Sequence, residues 1–350
     1  ALLTRALLIA GGAGAVLILL QPLVFAAAFA LAPASPTVEA LARDYLAIRI
    51  WSAPAAIAVY GLTGWLIAQE RSAAVLVIQL AMNGANIALS VAFVLGLGLG
   101  VPGVAWATFA AEWGGAALGL WLCRDAFANP AWRARARVLD PARLRNMATV
   151  NTDIMIRSVA IQAIFTSFLL YGGAFGDVAL AANQVLLQFL YVTSYAMDGF
   201  AFAVEALVGR YYGARDLPRL RRSVLLTGGW SVALTAALAL AFALGGPAIV
   251  DLMATDPDVR RTARDFLPWM VAAPLIGVYA WMLDGIFIGA TRSRDMRNMM
   301  LLSLAVYAAA LLILVPPLGN HGLWAALMVS FAVRGVSLGA RYPALERAAA

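Results

Sequence analysis

The feature that most constrains this chain is its punctuation. Apolar blocks of roughly 20 residues, the length a helix needs to cross the hydrocarbon of a bilayer, are separated by short connections of arginine, proline and glycine. A soluble domain would instead mix polar and apolar residues at helical or strand period. Breaking the sequence at these connections predicts an all-α polytopic membrane protein with about ten spans. They cover residues 6–31, 47–69, 73–97, 104–123, 147–172, 181–208, 224–244, 266–289, 299–315 and 322–340. Composition agrees: 63% of residues are hydrophobic, 12% are charged, and mean hydropathy is +0.85, against about a quarter charged in ordinary soluble domains.

The formal charge of +7 comes entirely from arginine, since the chain has no lysine. Its placement between apolar blocks sets orientation in a membrane rather than a nucleic-acid surface. Cys123 is the only cysteine, which excludes an intrachain disulfide and a CxxC metal or redox site.

Residues 125–145 form the one long polar connection, with Arg133, Arg135, Arg137, Arg143, Pro130 and Pro141. They predict a basic linker between an N-terminal lobe, residues 1–124, and a C-terminal lobe of six helices, residues 146–350. Arginine-bearing connections at Arg71, the linker, Arg210 to Arg222, Arg292 to Arg297 and Arg341 fall on one side if every span crosses once. By the positive-inside bias that side is the cytoplasm, so both ends of the chain are expected there.

The two lobes share an internal repeat. Ala42-Arg43-Asp44-Tyr45-Leu46 recurs as Ala263-Arg264-Asp265-Phe266-Leu267, Ala53-Pro54 as Ala273-Pro274, Arg71-Ser72 as Arg292-Ser293, and Gly11-Gly12 as Gly228-Gly229. Parallel repeats of this kind are common in transporters. The repeat pairs the first four spans with the last four and leaves the fifth and sixth without partners. The expectation is a protein of two six-helix halves in which this chain lacks the first two helices.

Carboxylates inside lipid are costly and mark function by default. Glu112, Asp153, Asp198, Glu205 and Asp284 qualify. In the sixth span Gln184, Gln188, Tyr191, Tyr195, Asp198, Phe202 and Glu205 recur at steps of four and three, which puts them on one helical face. Such a stripe reads as the wall of a water-accessible cavity for a cationic, amphipathic ligand, or as a polar seam between helices. Asp153 and Arg157 have i,i+4 spacing: either a fixed interfacial pair or one that opens to exchange a cation. Asp284 aligns with Gly64 in the other half, an asymmetry that favours function, whereas Glu112 beside Trp113 reads as a packing hydrogen bond. Pro54 and Pro274 occupy equivalent mid-span positions and are hinge candidates. The glycines from Gly96 to Gly100 read as a turn. His321, the only histidine, reads as a turn or capping residue. No metal, nucleophile-base or cofactor constellation accompanies the carboxylates, so an enzyme is not expected.

With those residues in view, the chain resembles the multidrug and toxic compound extrusion (MATE) family, in its DinF-type bacterial branch. The likeness rests on residues 42–69, on Asn151 to Arg157 (NTDIMIR), on Ala181 to Asp216 and on Asp284 with Gly289 and Arg292. The resemblance implies a twelve-helix exporter with two lobes around a central cavity, the spans here matching helices three to twelve. Asp153 and Asp284 would take the seventh- and tenth-helix carboxylate positions implicated in cation coupling, while the first-helix aspartate of proton-coupled members lies outside this chain. The expected function is exchange of H+ or Na+ for organic cationic or amphipathic compounds, by a monomer in the bacterial inner membrane with lipids as its other partners. The alternatives are a lipid-linked oligosaccharide flippase of the same superfamily, or a fragment that does not transport.

Overall fold

The structure is a computed structural model that describes residues 1–31, 36–128 and 130–349. Asn129, inside the predicted linker, and Ala350, at the end of the predicted C-terminal lobe, lie outside them. The chain is all-helical, and among the described residues nine helices are long and apolar enough to cross a membrane. A further helix, α6, has span length but is diluted by glycine, tryptophan and Glu112. Large apolar side chains such as Leu95, Leu244 and Leu252 point outward, as expected where lipid rather than water is the solvent. Contacts divide the chain into two compact units, Ala1–Leu144 and Arg145–Ala350.

The first unit contains α1 (Leu2–Leu19), α2 (Gln21–Leu31), α3 (Pro36–Arg49), α4 (Ala53–Ala68), α5 (Ser72–Val91), α6 (Gly100–Leu122) and a short α7 (Arg135–Val138). The first predicted span is therefore two helices. Pro22 lacks the N–H that would bond the carbonyl of Ile18, so a continuous helix fails there. The second predicted span is also interrupted, by a 3₁₀ turn at Ile50–Ser52. Pro54 consequently sits in the first turn of α4, where its missing N–H is harmless, and not in mid-helix as its repeat partner suggested. α1 crosses this break closely: a Cβ on Gly14 would fall 2.5 Å from Pro54 Cγ.

The core of this unit gathers Leu3, Val59, Leu62, Leu66, Ile78 and Ala116. Arg49 holds Glu112 through two hydrogen bonds of 2.8 and 2.9 Å, tying α3 to α6 as the packing reading of Glu112 required. The buried Arg5 of α1 donates from Nε to Val138 O and from a terminal nitrogen to Arg137 O, both at 2.9 Å. Part of the predicted linker is thus pinned to the first unit. At Gly98 and Gly100 the backbone takes positive φ, +65° and +57°, which makes that glycine run a turn.

The second unit is six long helices: α8 (Pro141–Gly173), α9 (Asp177–Gly213), α10 (Leu217–Met253), α11 (Pro257–Gly289), α12 (Ser293–Leu318) and α13 (Asn320–Ala349). Asp216 and Asp256 accept backbone N–H groups at the starts of α10 and α11, the usual remedy for unbonded first-turn donors. The core is built on Phe168, Leu186, Leu190, Tyr307 and Trp324. Within it Asn183 and Asn320 exchange amide hydrogen bonds of 2.8 and 2.9 Å, and Trp324 Nε1 donates to Asn183 Oδ1 at 2.9 Å. His321 does not cap a helix. Its Nδ1 accepts from Trp269 Nε1 at 3.1 Å, and its ring lies 4.5 Å from that of Phe266, because the helix start falls one residue earlier, at Asn320.

Candidate functional site

α9 buries Ala182, Leu186, Leu190, Met197, Val204 and Val208 along one face. The polar stripe occupies the other. Gln184, Gln188, Tyr195, Asp198 and Phe202 are exposed on this unit, while Tyr191 and Glu205 are partly buried.

α11 meets α9 beside this stripe. A Cβ on Gly285 would lie 2.6 Å from Ala201 O, and one on Gly289 would run into the Glu205 backbone. Only glycine allows so close a crossing, and the crossing sets Asp284, on α11, beside the lower half of the stripe. Arg157 of α8 donates to Asp284 Oδ2 at 2.5 Å. Arg334 of α13 stands 3.7 Å from the same oxygen, close enough for charge attraction but beyond hydrogen-bond distance.

The space these helices leave is a cavity of about 220 Å³ lined by Arg157, Asp198, Glu205, Asp284 and Arg334, with Ser194 and the rings of Phe165, Phe202, Trp281 and Phe331. The stripe therefore splits. Asp198, Phe202 and Glu205 line the cavity, whereas Gln184, Gln188 and Tyr195 lie outside it on the exposed face, and Tyr191 packs toward the core with its ring 6.2 Å from Phe165.

Asp198 and Glu205 have no ion pair or hydrogen bond among the described residues. Asp284 differs: one oxygen is held by Arg157, and Oδ1 is buried without a partner. Nε of Arg157 and Nε of Arg334 are likewise buried and unbonded.

The predicted Asp153–Arg157 pair does not form. Asp153, 1% exposed, accepts from Arg297 at 2.5 Å and from Ser293 Oγ at 2.8 Å, and Arg157 turns instead to Asp284. An i,i+4 pair on one helix is worth only about 0.2–0.5 kcal/mol. Partners on other helices that satisfy a desolvated carboxylate outweigh it. Sequence reasoning missed Arg297 by assigning it to a loop, and gave Arg334 no role. Pro274 is buried inside α11, as its mid-span position suggested.

A family model described as MatE matches residues 154–314. The chain is 37% identical over 347 residues to DNA damage-inducible protein F of Escherichia coli K12, covering 97% of this chain and 74% of that protein. It is 28% identical to the "Probable multidrug resistance protein NorM" of Pseudomonas putida, over 87% of this chain and 69% of that one. Among solved structures, the Vibrio cholerae MATE transporter VcmN superposes with a TM-score of 0.88 at 18% identity, covering 98% of this chain and 79% of that chain.

Proposed function

We propose a coupling scheme on a plain premise: this chain belongs to the MatE family, the multidrug and toxic compound extrusion transporters. In this reading it exports organic, cationic or amphipathic compounds across the bacterial inner membrane in exchange for inward-moving H+ or Na+. It works as a monomer with both chain ends in the cytoplasm.

One observation carries the scheme. Asp198 and Glu205, two helical turns apart on α9, line the cavity without an ion pair or hydrogen bond among the described residues, whereas Asp153 and Asp284 are each held by arginine. An unpaired carboxylate within the membrane is costly, so a proton or sodium ion taken up there relieves the penalty. Export follows if the cation prefers one facing state and the substrate the other, because a ligand shifts such an equilibrium only by its differential affinity.

A lipid-linked oligosaccharide flippase would favour a cavity rich in arginine for a pyrophosphate, and three carboxylates against two guanidiniums in this cavity argue against it. The test is efflux of a fluorescent cationic dye from proteoliposomes under imposed proton and sodium gradients. Efflux driven by one gradient supports an antiporter and names its ion. Dye retention under both overturns the reading.

A further inference from the structure

A second cavity of this unit opens on the face of α11 opposite the carboxylates. It is a groove of about 940 Å³, flanked by α10 and α13 and lined by no charged side chain. Val278, Met282 and Ile286 of α11 form its buried floor, and Leu225 and Val336 are exposed at its rim. Gly228 of α10 leaves it open, since a Cβ there would meet nothing within 4 Å. Along α11 the lining runs from Leu275 to Ile286, a rise of about 17 Å at about 1.5 Å per residue. One leaflet contributes half of the roughly 30 Å of bilayer hydrocarbon, so the groove has the length of one leaflet.

The groove ends among arginines. One turn beyond its lining residues Leu225 and Tyr342, Arg221 of α10 donates to Glu346 of α13 at 2.9 and 2.8 Å. Arg222 and Arg347 follow these two residues, are exposed, and make no ion pair or hydrogen bond among the described residues. Residues 216–222 and 341–347 together hold Arg219, Arg221, Arg222, Arg341 and Arg347 against Asp216 and Glu346. The turn from α11 into α12 adds Arg292 and Arg294 against Asp295. The surplus is positive on every helix that lines the groove and ends there.

We infer that this groove is a binding site for an anionic phospholipid, with an acyl chain lying along α11 and the charged headgroup on Arg222 and Arg347. Chain packing alone selects no lipid, because every tail is as apolar as the groove. The arginines make the choice, since clustered guanidiniums at a membrane surface attract anionic headgroups and bond phosphate oxygens directly. A second copy of the chain fits the groove less well: a two-fold contact across it would set the same arginine-rich ends against each other. Under the orientation proposed above, the lipid belongs to the cytoplasmic leaflet.

The test is native mass spectrometry of the delipidated protein in detergent, titrated with dioleoyl phosphatidylglycerol or with dioleoyl phosphatidylcholine. The wild type should bind one phosphatidylglycerol about tenfold tighter than phosphatidylcholine. Gly228→Leu, whose side chain occupies the groove, should weaken that binding about tenfold, and Arg222→Gln/Arg347→Gln should bring the two lipids within about twofold. Equal affinity of the wild type for both lipids, or a tight site and preference that survive these substitutions, overturns the inference. A second measurement on the wild type stands if the variants fail to fold. Phosphatidylglycerol carrying a diazirine on an acyl chain should, on illumination, label peptides of α10, α11 and α13 that line the groove. Label spread evenly over the outward faces of all the helices, or a protein dimer that excludes the lipid, overturns it. Lipid binding in detergent is read without any transport, so its failure leaves the coupling scheme untouched.

Discussion

Asp153→Asn removes the charge from the most deeply buried carboxylate of the second unit. Asp153 is 1% exposed and takes two hydrogen bonds, 2.5 Å from Arg297 and 2.8 Å from Ser293 Oγ. Breaking a fully buried pair costs about 3–5 kcal/mol. The Arg297 side chain is 30% exposed and can recover water, so we expect about 2 kcal/mol. A double-mutant cycle assigns the partner. Coupling between Asp153→Asn and Arg297→Gln should be about 1–2 kcal/mol, and coupling between Asp153→Asn and Arg157→Gln below about 0.5 kcal/mol. The assay is reversible unfolding in mixed micelles, followed by loss of helical signal on titration with a denaturing detergent. Stronger coupling to Arg157 than to Arg297 would refute the arrangement and restore the i,i+4 pair.

Gly285→Ala forces a Cβ to within 2.6 Å of Ala201 O and should destabilise by about 1–3 kcal/mol in the same titration. Gly228→Ala, whose Cβ meets nothing within 4 Å, should be neutral or gain up to about 1 kcal/mol; equal losses would mean that α9 and α11 are not in close contact. Asn183→Leu strands the Trp324 indole N–H and the Asn320 amide, for an expected cost of about 2–3 kcal/mol, and unchanged stability would show that the amide cluster does not form. Cys123 is 1% exposed, so maleimide labelling in native micelles should be slow and become complete on unfolding; fast native labelling would contradict the packing of the first unit.

The spans and the α9 stripe were legible because both are properties of a single helix, where apolar length and 3.6-residue spacing act locally. Glu112 was read correctly for a similar reason, since small residues and Trp113 around it already marked a packing surface. The ion pairs were not legible. Asp153 and Arg157 stand one turn apart in sequence, yet their partners come from α12 and α11, and no spacing rule says which distant helix lies alongside. The stripe also showed which residues share a face without showing where the cavity ends, because that depends on the approach of α11 at Gly285 and Gly289. Pro22 and Pro54 could have shown the breaks in the first two predicted spans, but long apolar runs outweighed them.

The central claim is that the unpaired carboxylates of α9, not those held by arginine, carry the coupling cation. The most direct measurement is gradient-driven dye efflux from proteoliposomes holding equal amounts of folded wild type, the Asp198→Asn/Glu205→Gln double variant, or Asp153→Asn. The account predicts that the double variant loses the response to the gradient and that Asp153→Asn keeps it. Undiminished efflux from the double variant, or an equal loss in Asp153→Asn, would contradict the account.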